Sequence, residues 1–243
     1  MHEFETFTFL DVQKTGSTFV SHFLTEFCTE EVMKYKKHKR VEDSYDPGKF
    51  YFITVRNPLD QYISLYSHGC AGMGGLARRL RKRGHGGLYD STWDGFRRWL
   101  RFVLKPGVSD MLDDEYGDDA NEHVRELIGF QTYRYLELAM RTPLETLAEC
   151  KTQDEVREAY RKTNIANFVI HHETFAQDLE QLVTTKLRHA IRDIDAAIKH
   201  IREAPKLNTS DRIDAFETDP SLGSKLQEKL DEREWLLHEV FEY

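Results

Sequence analysis

Two segments of this chain share one layout, in which an apolar stretch runs through a turn into a helical pattern. The first is Phe9–Phe19, with the sequence FLDVQKTGSTF, and the second is Phe50–Tyr66, which begins FYFITVRNP. This layout carries a strand to a helix N-terminus, where unsatisfied N–H groups and the helix dipole attract phosphate. Two such anion sites predict a ligand that carries two separate anionic groups.

The first segment contains the charged and small residues that a phosphate turn needs. Lys14 is placed to neutralise charge that develops on a leaving oxygen in a transition state. Backbone N–H groups and hydroxyls of the following residues are expected to contact a phosphate, and a glycine permits its close approach. These residues are Thr15, Gly16, Ser17 and Thr18. Phe19 has two interpretations, stacking on a nucleotide base or packing in the core.

The second segment ends its apolar strand in an arginine. Arg56 follows a β-prone run and has no acidic residue beside it on the strand. A guanidinium can grip phosphate through two parallel hydrogen bonds, so Arg56 is expected to hold the second anionic group. Ser64, two turns into the next helix, is expected to face the same oxygens. The alternative is a surface arginine with an unrelated serine on a helix face.

Both segments resemble the nucleotide signatures of sulfotransferases, which use 3′-phosphoadenosine 5′-phosphosulfate (PAPS) as sulfuryl donor. The first resembles the motif for the 5′-phosphosulfate, although Gln13 stands where the family usually has proline. The second resembles the motif for the 3′-phosphate, with Arg56 and Ser64 at the family's spacing and Asn57-Pro58 between them. The resemblance implies PAPS as co-substrate, 3′,5′-ADP as product, and no metal.

Weaker similarity continues toward the end of the sequence. The segment Asn208-Thr209-Ser210 resembles a loop of carbohydrate sulfotransferases that contacts the nucleotide. That resemblance implies an acceptor with a hydroxyl group and favours a carbohydrate. The alternative for this segment is an N-cap of the next helix, because short hydroxyl and amide side chains serve both purposes.

Transfer to a hydroxyl requires a group that removes the acceptor proton. Imidazole is suited to this near neutral pH. Sulfotransferases often place such a histidine between the two nucleotide motifs, next to lysine, and Lys37-His38 resembles that arrangement. We therefore predict that His38 is the catalytic base. A base at His68 and a structural role for His38 stay open.

The predicted fold is α/β, with a parallel β-sheet flanked by helices in the P-loop NTPase-like arrangement that the resemblance implies. The length of 243 residues fits one sulfotransferase domain over residues 1–243. Phe4–Val12 is predicted as the first strand and Phe50–Val55 as a strand buried on both faces. The Gly- and Arg-rich stretch Gly69–Gly87 is predicted as a surface loop.

Bulk properties exclude some classes of protein. A formal net charge of −8 argues against general nucleic-acid binding. Three cysteines without a CxxC pattern predict free thiols in a reducing compartment. No stretch approaches the roughly 18 apolar residues of a membrane span, so we expect a cytoplasmic protein.

A P-loop kinase is the main alternative, since it would share the fold. The Walker A motif needs a glycine opening the loop and a lysine after the last glycine, whereas Lys14 precedes Gly16. A Walker B strand ends in aspartate to hold Mg²⁺, whereas the second strand here ends in Arg56. A nucleotide-binding protein without catalysis is the third possibility.

Overall fold

A computed structural model of the protein describes residues 1–41, 45–118, 122–203 and 222–243. Their contacts divide the chain into two units. The first contains the described residues within 1–56, 137–142 and 163–203, and the second those within 57–136, 143–162 and 222–243. Because the chain passes between the units several times, the division gives no single boundary in the sequence. One domain over residues 1–243 stays a prediction.

The described residues form five β-strands and thirteen α-helices. The strands are β1 His2–Glu3, β2 Phe7–Leu10, β3 Lys34–Tyr35, β4 Phe50–Val55 and β5 Phe168–His171. The helices are α1 Ser17–Phe27, α2 Pro58–Cys70, α3 Gly75–Lys82, α4 Trp93–Val103, α5 Ser109–Leu112, α6 Glu122–Leu127, α7 Phe130–Ala139, α8 Pro143–Ala148, α9 Gln153–Thr163, α10 Phe175–Thr185, α11 Ile194–Glu203, α12 Ser224–Arg233 and α13 Trp235–Phe241.

The first unit is built on one five-stranded sheet with the order β3-β1-β2-β4-β5. Strands β2, β4 and β5 run parallel, with Phe9 opposite Phe52 and Phe52 opposite Phe168. The predicted bounds of β4 are confirmed. Parallel neighbours place their carboxyl ends at the same edge of the sheet, which is where ligands bind in open α/β sheets.

The sheet is mixed, so the prediction of a purely parallel sheet is wrong at one edge. Strand β1 runs antiparallel to both β2 and β3. Residues 4–6 join β1 to β2 in a turn, where the Phe4 N–H donates to the Phe7 carbonyl at 2.9 Å. A parallel connection needs about a dozen residues or more, so this short link enforces antiparallel pairing. The predicted strand Phe4–Val12 therefore begins too early, and it also ends too late, since β2 stops at Leu10.

Helices α1, α10 and α11 supply apolar side chains to the core of the first unit. Val20, Phe23 and Leu24 of α1 are buried at the spacing of one helix face. On the sheet, Phe9 and Phe52 stack across the parallel pair with their ring centroids 4.9 Å apart. Full burial of one such side chain stabilises the fold by roughly 1.5–3 kcal/mol.

The predicted loop Gly69–Gly87 contains helix α3, so that prediction is wrong. The buried residues of α3 are Leu76, Ala77 and Leu80, which lie on one face. The remaining residues of the helix are basic apart from Gly75, and Arg79 pairs with Asp114 at 2.6 Å. Because glycines stand on both sides of this short amphipathic pattern, the sequence suggests a loop there.

Glu234 is the buried charge around which part of the second unit is organised. Its carboxylate is fully buried and accepts hydrogen bonds from the Tyr62 hydroxyl at 2.5 Å and the Thr132 hydroxyl at 2.6 Å. It also accepts from the backbone N–H groups of Thr132 at 2.8 Å and Gln131 at 3.3 Å, in the first turn of α7. A Cβ on Gly129 would lie 2.1 Å from Oε1 of Glu234, so only glycine fits there. One carboxylate thus caps α7 and ties it to two other helices.

Two further expectations concern thiols and membranes. Cys28, Cys70 and Cys150 all carry free thiols, as predicted. Within the four described ranges, no helix combines the length and the apolar character that crossing a bilayer requires.

We expect Glu234→Ala to lower the free energy of unfolding by about 3–5 kcal/mol, because buried donors would lose a charged acceptor. Urea denaturation measures this change. Glu232→Ala is the matched control, since Glu232 is exposed in the last turn of α12, two residues before Glu234, and should change stability by less than about 0.5 kcal/mol. Equal effects of the two substitutions would contradict the role given to Glu234.

Candidate active site

The turn between β2 and α1 has a backbone that depends on glycine. Gly16 precedes α1 with φ 93°, a left-handed conformation that favours glycine. A Cβ at this position would also lie 2.8 Å from Cε2 of Phe175. Lys14 adopts a positive φ of 66° as well. Conformation and packing therefore both require glycine in the predicted phosphate turn.

Thr15 holds the turn against the sheet. Its side chain is fully buried, and its hydroxyl donates to the Val12 carbonyl at 2.7 Å. The same hydroxyl lies 2.6 Å from the Thr54 hydroxyl on β4. The Thr15 hydroxyl is thus hydrogen-bonded within the protein. The predicted contact of Thr15 with phosphate would therefore be made by its backbone N–H.

The first turn of α1 directs N–H groups toward the turn. Phe19 and Val20 are the first residues of the helix whose N–H groups donate within it, both to the Gly16 carbonyl. The N–H groups of Ser17 and Thr18 precede these donors, and the capping glycine has no side chain that could accept from them. Backbone donors at a helix N-terminus form a site for an anion.

Lys14 and Arg56 come together at the carboxyl edge of the sheet. Nη1 of Arg56 lies 3.5 Å from the carbonyl oxygen of Lys14, so the ends of β2 and β4 meet through these residues. Burial lowers the pKa of Lys14, and the positive charges of Arg56 and then Lys37 lower it further. Arg56 and Lys37 are therefore near enough to Lys14 for their charges to oppose its own.

His38 is pinned to Asp11, a residue that the sequence analysis did not single out. The backbone N–H of His38 donates to Oδ1 of Asp11 at 2.9 Å, and Nδ1 lies 2.7 Å from the Asp11 carbonyl oxygen. Because a carbonyl oxygen can only accept, Nδ1 carries a proton in this contact. The basic lone pair of the neutral ring is therefore on Nε2.

A cavity of about 370 Å³ borders this arrangement on the side of α1. Its lining residues are His2, Asp11, Ser17, Thr18, Ser21, His22, Thr25, Val32, Tyr35 and Lys37. Hydroxyl and imidazole groups dominate the lining, and Tyr35 is 55% exposed. Burial lowers the pKa of His2 to about 4, and its Nε2 lies 2.9 Å from the Ser21 hydroxyl. His2 is therefore neutral near pH 7.

Phe19 packs against protein side chains. Its ring meets Phe175 edge to face, with centroids 5.5 Å apart, and lies 5.7 Å from His200. These contacts support the packing interpretation, and the predicted stacking on a base stays a prediction.

Five other residues were predicted to take part in the site. Ser64 and His68 are half-buried residues of α2, in the second unit, and their predicted roles stay predictions. Asn208, Thr209 and Ser210 lie outside the described residues. In the described part of the chain, no three His, Cys, Asp or Glu side chains come together as a metal-binding group.

Asp11, Thr54 and Phe175 are the residues of this site that sequence reasoning missed. A signal existed for Asp11, because an acidic residue directly after a buried strand and before a phosphate turn needs partners for its charge. Thr54 and Phe175 gave no such signal, since each looks like an ordinary strand or helix residue.

Comparison with known families agrees with the layout of the site. The chain matches the model of the sulfotransferase family over residues 1–198, which is most of its 243 residues. Neither the curated proteins nor the solved structures contained a match. The matched range includes the turn with Lys14, the Arg56 strand end and His38. The protein therefore belongs to the sulfotransferase family, whose members transfer sulfuryl groups.

Proposed function

We propose that this sulfotransferase moves the sulfuryl group of PAPS to a hydroxyl group of a carbohydrate. The observation that carries the proposal is the convergence of Lys14 and Arg56 at the edge of the sheet, beside the first turn of α1. Cations that repel one another are stabilised when an anionic ligand binds between them. PAPS has anionic groups at both ends of its ribose, which matches two strand-to-helix sites.

The residues of the turn fit the donor. PAPS supplies a sulfuryl group on a phosphate that becomes the leaving group. Lys14 and the N–H groups of Ser17 and Thr18 hold the 5′ end in this proposal, while Arg56 and Ser64 hold the 3′-phosphate. Lys14 stabilises the charge that grows on the leaving phosphate, which lowers the barrier to transfer.

The acceptor occupies the cavity beside α1 in this proposal. Sugars bind through many hydroxyl contacts and through stacking on aromatic rings, and the lining provides both. Asp11 lines the cavity and also contacts His38, so the proposed base stands beside a residue of the cavity wall. Nε2 of His38 accepts the proton of the reacting hydroxyl.

A transfer assay tests the function directly. The protein is incubated with PAPS that carries radioactive sulfur and with a library of oligosaccharides, and labelled product is counted. We expect label in at least one carbohydrate. Nucleotide binding without transfer to any carbohydrate or other hydroxyl compound would instead favour a binding protein without catalysis.

The nucleotide site should prefer 3′,5′-ADP to 5′-AMP, because Arg56 reads the 3′-phosphate. Losing a charge-assisted hydrogen bond costs about 1.5–3 kcal/mol, so Arg56→Ala should weaken 3′,5′-ADP binding roughly ten- to hundredfold. Its affinity for 5′-AMP should change little. Calorimetry measures all four combinations, and equal affinity of the wild type for both nucleotides would refute the donor assignment.

Binding of 3′,5′-ADP should weaken in alkaline solution as Lys14 loses its proton. The folded protein lowers the pKa of Lys14 below its ordinary value of 10.5, so the cation is present at neutral pH and disappears earlier on raising pH than for an exposed lysine. Lys14→Arg is the matched control, because a guanidinium stays protonated there. An alkaline fall of the same size in both proteins would contradict this role of Lys14.

His38→Ala should remove turnover and leave donor binding intact, since a general base acts on the acceptor. General-base catalysis is worth roughly 10²–10⁴-fold in rate, and 3′,5′-ADP affinity should change by less than about threefold. Turnover and calorimetry measure the two quantities separately. A variant that keeps the wild-type rate would transfer the role to another residue, with His68 the first to test.

A further inference from the structure

We propose that Asp11 is a positioning residue that holds His38, and the charge it acquires, in the arrangement that proton transfer requires. This inference rests on the proposed function, in which His38 is the base. Asp11 does not touch the reacting atoms and acts through His38. Asp11 also connects the base to the phosphate turn, because it stands three positions before Lys14 in the segment that forms this turn.

The first argument is the number of contacts that one buried residue makes, through its carboxylate and its backbone carbonyl. Asp11 is 2% exposed. Its Oδ1 accepts from the His38 N–H at 2.9 Å and from the Met1 ammonium at 2.6 Å. Its Oδ2 lies 3.4 Å from Nδ1 of His38, whose proton is donated to the Asp11 carbonyl oxygen at 2.7 Å. One residue therefore fixes both the backbone and the ring of the base.

The second argument is the backbone conformation of His38. It has φ 54°, in the left-handed region that residues other than glycine rarely adopt. The hydrogen bond from its N–H to Oδ1 of Asp11 stabilises that conformation. Without it, the backbone would relax toward a commoner conformation and the ring would turn away from its present direction.

The third argument concerns charge during the reaction. The acceptor O–H bond breaks, its proton moves to Nε2 of His38, and its oxygen forms a bond to sulfur as the bond from sulfur to the leaving phosphate breaks. Nδ1 keeps its own proton throughout, so an imidazolium faces the Asp11 carboxylate. The Asp11 carboxylate attracts this cation, and the attraction is stronger than between the same charges in water because the local dielectric is lower.

Two other ionisable groups, His2 and the Met1 ammonium, lie near Asp11, and neither prevents Oδ2 from facing the His38 ring. Nε2 of His2 lies 3.8 Å from Oδ2. Burial lowers the pKa of His2 to about 4, so it stays neutral at working pH and adds no second cation there. The Met1 ammonium contacts Oδ1, whereas Oδ2 is the oxygen nearer to the histidine ring.

The test is a double-mutant cycle with Asp11→Asn and His38→Ala. Asparagine is nearly the same size but removes the charge. We expect Asp11→Asn to lower kcat about ten- to hundredfold, part of the full effect of the base, with 3′,5′-ADP affinity changed by less than about threefold. In the His38→Ala background the same substitution should change the residual rate by less than about twofold, because Asp11 acts through His38.

The outcomes separate the two proposals. An equal loss from Asp11→Asn in both backgrounds would overturn the positioning role, since a structural defect acts whether or not His38 is present. Full activity of Asp11→Asn beside an inactive His38→Ala would overturn it as well, and would leave the proposed function standing. Failure of the wild type to transfer sulfur or to prefer 3′,5′-ADP would refute the proposed function itself.

Two controls address folding. Glu3→Gln removes another largely buried carboxylate from the same sheet, one that pairs with Lys49 at 2.9 Å, and should leave kcat within about twofold. Nitrogen-15 NMR of the wild-type imidazoles gives a measurement that needs no variant. We expect neutral His38 to carry its proton on Nδ1, and a proton on Nε2 would overturn the proposal even where Asp11→Asn does not fold.

Discussion

Parallel pairing of β2 with β4 is the constraint on which the rest of the site depends. The pairing puts Phe9 opposite Phe52, so the two strands end together and deliver Lys14 and Arg56 to the same edge. Aromatic stacking between the strands fixes the register. A shift by one residue would reverse which side chains face the core, so the position of the two cations is set by apolar packing.

The positive charges near Lys14 destabilise one another in the protein without ligand. Burial and repulsion from Arg56 and Lys37 lower the pKa of Lys14, which means that its charged form is destabilised in the protein without ligand. Such stored repulsion is typical of functional sites. An anionic ligand bound beside Lys14 and Arg56 would relieve this repulsion.

Side chains in the phosphate turn divide between building the turn and serving a ligand. Thr15 and Asp11 are both buried and direct their polar atoms to the protein, Thr15 to Thr54 and Asp11 to His38. At position 16, the positive φ and the nearby ring of Phe175 both require glycine. The turn is therefore held in place before any nucleotide binds, and preorganisation of this kind is what makes electrostatic stabilisation effective.

Local pattern alone determined the strand β4, the helix α1 and the glycine at position 16, because each depends on neighbours close in sequence. The resemblance of two separate segments then indicated the sulfotransferase family. Only the tertiary structure decided the antiparallel edge at β1, the helix α3, the packing of Phe19 and the link from Asp11 to His38. Between Asp11 and His38, the chain forms the helix α1 and the edge strand β3. Contacts at that distance follow from strand register and burial, and periodicity in the sequence does not encode them.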